Sequence, residues 1–237
     1  MNNLSKLDID TLNEYHIPIT EELINKVNDG YPIQYIVGNA NFYGYLFKVN
    51  ESVLIPRFET ELLVEKIINK INFPINKAID LCSGSGVIGI TLSKKLNINV
   101  DMLELSKEAI EVLKDNVNNL QVINTNIIEE DIFKYNIPDE YELIVANPPY
   151  LTLNDDVNPN TRFEPSMALY SNDDGIKFYK RIINQLPSLK KWQLIAFEIG
   201  ENEANDIIDY AHSLNINNIH VEQDYTNRDR YIFIYHE

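Results

Sequence analysis

From Ala78 onward, short apolar runs alternate with segments of helical periodicity, and the connections between them are brief. Residues 78–81, 100–104, 122–123, 143–146 and 194–199 read as buried strands. Residues 87–96, 106–120, 174–186 and 201–214 read as helices, with Ser106 as an N-cap. Parallel strands joined by helical crossovers wind right-handed, so this rhythm predicts an α/β fold with a doubly wound, mainly parallel sheet. Residues 220–223 and 231–235 are too close for a crossover and predict an antiparallel hairpin at one edge. The total expected is seven strands.

The chain before this rhythm is of another kind. Residues 1–40 are polar, with one helix start at Thr20-Glu21-Glu22, an apolar face of Leu23, Ile24 and Val27, and a stop at Asp29-Gly30. Over residues 41–55, Phe42, Tyr45, Phe47, Val49, Val53 and Ile55 fall near alternation and predict a β-hairpin that Pro56 ends. Residues 60–69 predict a helix. The expected division is a short helical segment over 1–40, a hairpin linker over 41–56 and the main domain over 57–237. Residues 151–173 carry little apolar periodicity, and so long a loop in a compact domain is often functional.

Charge narrows the function. Of 237 residues, Asp and Glu number 36 and Lys and Arg 20, a formal charge of −16. Such a chain lacks the basic footprint for wrapping nucleic acid or lying on an anionic membrane. Cys82 is the sole cysteine, so no intrachain disulfide forms. The four histidines are scattered and give no metal-ligand spacing. The first residues lack the blocks of a signal peptide, and no apolar stretch is long enough to span a bilayer. The expected address is the cytoplasm, with no metal and no membrane.

Two motifs carry chemistry. Asp80-Leu81-Cys82-Ser83-Gly84-Ser85-Gly86 joins a strand to a helix, and its glycines let backbone approach a ligand. It is neither the dinucleotide fingerprint nor a P-loop. Glu104, at the end of the next strand, can accept from both hydroxyls of a ribose. Asp131 after the third strand can accept from an adenine amino group, with Ile132 and Phe133 against the ring. Alone, each of these is more often a turn or a solvated carboxylate; together they favour a nucleoside.

Asn147-Pro148-Pro149-Tyr150 follows the strand 143–146, at the carboxyl end where ligands of open α/β sheets bind. The prolines stiffen it and carry no N–H. The Asn147 side-chain carbonyl and the Pro148 backbone carbonyl are two acceptors, matched to a planar NH₂ group, and Tyr150 offers a flat face. An amide nitrogen is a poor nucleophile. Fixed acceptors that strengthen as positive charge develops on it, beside a sulfonium methyl, suit in-line displacement.

These residues resemble an S-adenosylmethionine-dependent methyltransferase, and more narrowly the HemK/PrmC family. The resemblance runs from about Asn28 onward. It rests on residues 32–38, Phe42-Tyr43-Gly44, residues 54–63, the glycine loop, Asn147 to Tyr150, Arg162-Phe163-Glu164-Pro165, Ala168-Leu169, Asp174-Gly175 and Arg228-Asp229-Arg230. It implies the class I, Rossmann-like methyltransferase fold. It implies methylation of a glutamine side-chain nitrogen in the Gly-Gly-Gln loop of a peptide chain release factor, the expected protein partner. It implies that Asp80, Cys82, Ser83, Gly84, Ser85, Gly86, Glu104, Asp131, Ile132 and Asn147 contact S-adenosylmethionine. Asn147, Pro148 and Tyr150 would act in catalysis, and Pro149 and Glu164 would join them in holding the substrate. The chain departs from the family pattern at Cys82 and Asn227, where Gly is usual, at Phe58, where Pro is usual, and at Glu104, where Asp is usual. Residues 1–40 are short for the family's helical N-terminal domain. Two other readings stand beside this one: an adenine-N6 nucleic-acid methyltransferase, which shares the Asn-Pro-Pro-Tyr motif, and a nucleoside-binding partner protein without catalysis. Arg57 and Glu59 read equally as a surface ion pair or as cofactor-facing groups.

Overall fold

A computed structural model describes residues 4–153, 155, 159–171 and 175–236. Three helices open it: α1 (Lys6–Glu14), α2 (Glu21–Asn28) and α3 (Ile33–Val37). Ser5 and Asp8 form a reciprocal capping box on α1, and Thr20 caps α2 by accepting from the Leu23 N–H. Strands β1 (Asn39–Phe42) and β2 (Tyr45–Lys48) make a separate antiparallel hairpin around Tyr43-Gly44. Helix α4 (Phe58–Lys70) leads into the main sheet.

The main sheet contains β3 (Lys77–Leu81), β4 (Asn99–Glu104), β5 (Thr125–Glu129), β6 (Leu143–Ala146), β7 (Leu194–Glu198), β8 (Ile219–Gln223) and β9 (Asp229–Tyr235). Their spatial order is β5-β4-β3-β6-β7-β9-β8. All pairings are parallel except those of β9, which runs antiparallel to both its neighbours. The crossover helices are α5 (Val87–Leu96), α6 (Lys107–Asn119), α8 (Lys177–Ile183) and α9 (Ala204–Ser213), and the short α7 (Ser166–Leu169) lies in the long loop. Strands β6 and β7 are buried throughout. Both sheet faces are covered: Ile79, Leu81, Ile144 and Ala146 belong to one core, while Ala78, Leu143 and Val145 belong to the other.

The strand order reverses between β3 and β6. Leu81 lies beside Ala146 there, so the chain leaves the sheet at Cys82 and at Asn147 side by side. That is the topological switch point, where open α/β sheets place their ligands.

Several boundaries differ from expectation for local reasons. The third strand is Thr125–Glu129, not 122–123. Gln121 turns the chain at φ 53°, the Val122 N–H still bonds back to the Val117 carbonyl of α6, and Ile123 is 90% exposed. As an edge strand, β5 has no fully buried residue, with Ile127 and Ile128 half-buried against opposite cores, and offers no continuous apolar run to read. The hairpin ends at Lys48. Val53 and Ile55 are buried, but in a small core with Tyr35, Val49, Ala109 and Val112 rather than in a strand. The helix expected over 174–186 is shorter, Lys177–Ile183, followed by a 3₁₀ turn at Leu186–Ser188; its expected first residue lies outside the described residues. The helix expected over 201–214 begins at Ala204. No helix among the described residues is long and apolar enough to cross a membrane, and they hold no cluster of three or more His, Cys, Asp or Glu able to bind a metal ion.

Candidate active site

A cavity of about 450 Å³ opens at the switch point. Its floor is the β3–α5 loop. The Ser83 N–H bonds to the Leu103 carbonyl at 3.0 Å, and the Gly86 N–H to the Ser83 carbonyl at 2.8 Å. Gly86 caps α5 at φ 83°, and a Cβ there would lie 2.2 Å from Leu113 Cδ1, so no larger residue fits. Gly84, at φ 54°, presents open space to the cavity. Glu104 ties this loop to β4: Oε2 accepts from the Gly84 N–H at 2.8 Å, and Oε1 accepts from the Leu105 and Ser106 N–H groups, each at 2.9 Å. A carboxylate has about four acceptor sites, so Oε2 keeps room for a further donor.

Across the cavity, Asp131 Oδ1 accepts from the Phe133 N–H at 2.9 Å and closes an Asx turn; its other oxygen is left for a ligand. Ile132 is buried, and the Phe133 ring tilts against Phe178 at 5.0 Å. These two, with Leu103 and Leu105, form an apolar wall. Ser85 and Val87 line the same space from the loop, and Met167 and Ala168 from the long loop.

Asn147 and Pro149 line the cavity on its β6 side. Asn147 Nδ2 donates to Thr60 Oγ1 at 3.3 Å, and Thr60 Oγ1 donates to Glu198 Oε2 at 2.8 Å. Glu198 is 2% exposed. Burial, with the nearby Glu59, pushes its carboxyl up to about 7 against the Thr60 bond, Arg230 and Asn147, which lower it. Thr60 and Glu198 were missed in the sequence. A carboxylate ending the otherwise apolar run of β7 was the available signal.

The remaining predicted site residues sit behind this surface. Asp80 does not line the cavity: it is 1% exposed, and its Oδ2 accepts from the Gly89 N–H of α5 at 2.9 Å. Gly86 shapes the loop from behind. Pro148 is buried, and Tyr150 packs against the core beneath the sheet rather than offering a face to the cavity; burial pushes its phenol well up. Glu164 is 8% exposed and is a tie rather than a cavity group. It accepts from the Ile55 N–H at 3.0 Å and pairs with the Arg57 guanidinium. Arg57 therefore pairs across to the long loop, while the Glu59 carboxylate accepts from the Tyr225 hydroxyl at 3.4 Å. That link fastens the 159–165 segment over one side of the cavity, where Pro165 lines it.

Two of the departures from the family pattern meet positive φ. Asn227 turns the β8–β9 connection at φ 62°, a conformation Asn tolerates. Cys82 stands at φ 64°, where an L side chain costs about 1–2 kcal/mol. Cys82→Gly is expected to raise stability by up to about 1 kcal/mol, since the greater freedom of an unfolded glycine offsets part of the gain. A thermal melt should show a rise of about 2–4 °C. The thiol, half-buried on the cavity wall, is pushed well up, first by burial and then by Glu104, Asp80 and Asp131, and so stays protonated rather than acting as a nucleophile. Phe58 stacks edge-on against Tyr225 at 5.6 Å on the surface beside the site.

Asp80 Oδ1 is buried without a partner, and burial pushes the carboxyl up to about 7 from 3.8. The folded chain thus binds a proton more tightly than the unfolded one. Asp80 contributes stability that is complete below about pH 4 and is lost as pH rises through about 7. Between about pH 5 and pH 8 the melting temperature of the wild type should fall relative to that of Asp80→Asn. Parallel curves would show that Asp80 is already ionised in the folded chain.

Comparison with known proteins places this arrangement. Residues 58–162 match the methyltransferase small domain. A release factor glutamine methyltransferase from Bacillus anthracis is 37% identical over 197 residues, 78% of this chain and 69% of that one. Its counterpart from Clostridium botulinum is 35% identical over 246 aligned positions, 96% of this chain and 85% of that one. Among solved structures, the hMettl16 catalytic domain in complex with MAT2A 3'UTR hairpin 6 superposes with a TM-score of 0.66 at 13% identity, covering 92% of each chain. The N-terminal domain of human METTL16 in complex with SAH gives 0.56 at 17% identity, covering 80% of this chain and 75% of that one. Likeness at that level of identity reports the class I methyltransferase fold alone. The bacterial relatives reach further, since more than a third of aligned residues are shared along most of both chains: this chain belongs to the release factor glutamine methyltransferase family.

Proposed function

We propose that this chain transfers a methyl group from S-adenosylmethionine to the side-chain amide nitrogen of a glutamine in a peptide chain release factor. One observation carries the reading: Asn147, whose NH₂ is engaged by Thr60, lies on the wall of a cavity floored by the Gly84 loop.

The residues present fit the cofactor. A cavity of about 450 Å³ is in the range of nucleotide-sized pockets. Glu104 Oε2 has an open acceptor site for ribose hydroxyls, Asp131 has a free oxygen for an adenine amino group, and Ile132 and Phe133 give the ring an apolar wall. When bound, the sulfonium supplies an activated methyl group.

The chain's own residues do the rest. Asn147 Oδ1 and the Pro148 carbonyl accept the two N–H bonds of the glutamine amide and fix its plane. The nitrogen lone pair then points out of that plane toward the cavity. As the N–C bond forms and the carbon–sulfur bond of the donor breaks, with a neutral thioether as leaving group, positive charge grows on nitrogen and both acceptor bonds strengthen, which lowers the barrier without a shifted general base at the moment of attack; one N–H proton then passes to water to leave the neutral N-methyl amide. Tyr150 braces the corner from below by its packing. Glu164, paired with Arg57, holds the covering loop. The net charge of −16 attracts a basic partner and repels nucleic acid.

The test offers labelled S-adenosylmethionine with a purified release factor and, separately, with duplex DNA. Label is expected in the factor. Label in DNA and none in the factor would mark the adenine-N6 reading, and cofactor binding with no transfer to either would mark a partner protein.

A further inference from the structure

We infer that Glu198 and Thr60 are positioning residues that set the orientation of the Asn147 amide, so that its oxygen and not its nitrogen faces the substrate. This deepens the function proposed above and rests on it. The argument is a count of hydrogens. A threonine hydroxyl has one hydrogen and two lone pairs. An ionised Glu198 is an acceptor only, so the Thr60 hydrogen is committed to its Oε2, 2.8 Å away. Thr60 Oγ1 can then meet Asn147 only as an acceptor. The group facing it, 3.3 Å away, must be the Asn147 NH₂. The side-chain oxygen is thereby turned to the opposite side, toward the cavity. Glu198 itself also reaches the Asn147 side chain and accepts from its NH₂ end, which acts in the same sense, so Glu198 and Thr60 together distinguish the two ends of the amide.

Each member is placed by a different element. Thr60 is 3% exposed, in the first turn of α4. Glu198 ends β7, and Asn147 follows β6, the parallel neighbour of β7. Tyr231 of β9, the register partner of Glu198, donates its hydroxyl to the Glu59 carbonyl at 2.8 Å and so fixes the start of α4 over the sheet. The charged and titratable groups facing Glu198 are Glu59 from α4, Tyr150 after Asn147, Tyr179 from α8, and Arg230 and Tyr231 from β9. Burial in this setting holds its proton to about pH 7. A protonated Glu198 can donate to Thr60, which frees the Thr60 hydrogen. Asn147 Oδ1 is then the acceptor that satisfies it, the amide turns over, and the substrate meets an NH₂ instead of an oxygen. The chain reverses polarity with one proton and loses it again on ionisation.

Variants at Glu198, Thr60 and Asn147 test this by transfer kinetics and by NMR. In the wild type, kcat for transfer to a release factor should rise with pH through about 7 and then level off. The acid limb should vanish in Glu198→Gln, which cannot titrate. Thr60→Val should lower kcat by roughly tenfold or more, with cofactor affinity within about twofold, and Thr60→Ser should restore it. The second readout needs no turnover: the Asn147 side-chain NH₂ signal in NMR spectra, assigned by its loss in Asn147→Ala, should shift with pH through about 7 in the wild type and stay flat in Glu198→Gln. Wild-type kcat in Thr60→Val, an acid limb that survives Glu198→Gln, or an Asn147 signal that ignores pH would each overturn the inference while leaving the proposed reaction in place. Failure of the wild type to methylate the factor, with the NMR titration present, would instead overturn the reaction and leave the polarity chain standing.

Discussion

Asn147→Ala is expected to lose roughly 100- to 1000-fold in kcat for methyl transfer while binding S-adenosylmethionine almost as well as the wild type. The size follows from removing one fixed polar partner of a charge that develops only in the transition state. The selectivity follows from geometry: Asn147 stands on the β6 side of the cavity, while the groups proposed to hold the cofactor, Gly84, Glu104 and Asp131, line its β3, β4 and β5 side. Single-turnover transfer and calorimetric titration of the cofactor separate the two quantities. A collapse of cofactor affinity, with transfer restored at saturating cofactor, would move Asn147 from the substrate to the cofactor.

The converse is expected at Glu104. Glu104→Ala removes the proposed acceptor for ribose and releases the Gly84, Leu105 and Ser106 N–H groups that shape the loop. Hydrogen bonds to a charged group contribute about 1.5–3 kcal/mol each. A net loss of about 3 kcal/mol corresponds to roughly 100-fold weaker cofactor binding. Turnover at saturating cofactor should change much less, because Glu104 and Asn147 line opposite sides of the cavity, with β3 between their strands. Glu104→Asp keeps the charge but shortens the reach. It should recover part of the affinity, since the family usually carries Asp at this position. Unchanged affinity in Glu104→Ala would show that the loop holds itself and that the ribose lies elsewhere.

The central strands were legible because both their faces are covered: β3 from Ala78 onward, β6 and β7 are mostly apolar, buried runs with no alternation to confuse them. Edge strand β5 is harder to read because none of its residues is fully buried and the nearby apolar pair Val122-Ile123 belongs to a helix exit. Helix α1 escaped notice although its capping box, Ser5 to Asp8, was written in the chain. At the site, the residues on the two loops that flank the switch point were visible because loop chemistry is local. Gly84, Ser85 and Asn147 all reach the cavity. What local reading could not supply is direction. Asp80 and Tyr150 belong to the same two motifs, yet their side chains turn into the core. Glu164 carries the right charge in the right loop, but Arg57, distant in sequence, claims it. Thr60 and Glu198 are separated by 138 positions and meet only because α4 crosses the end of β7.

The most direct test of the account is the site of methylation. A release factor incubated with S-adenosylmethionine and this chain should carry one added methyl on the side-chain nitrogen of the glutamine in its Gly-Gly-Gln loop, located by fragmentation mass spectrometry. The same factor treated with the Asn147→Ala variant should carry almost none. A methyl found on any other residue, or equal modification by the two proteins, would contradict the claim that the Asn147 corner holds the reacting amide.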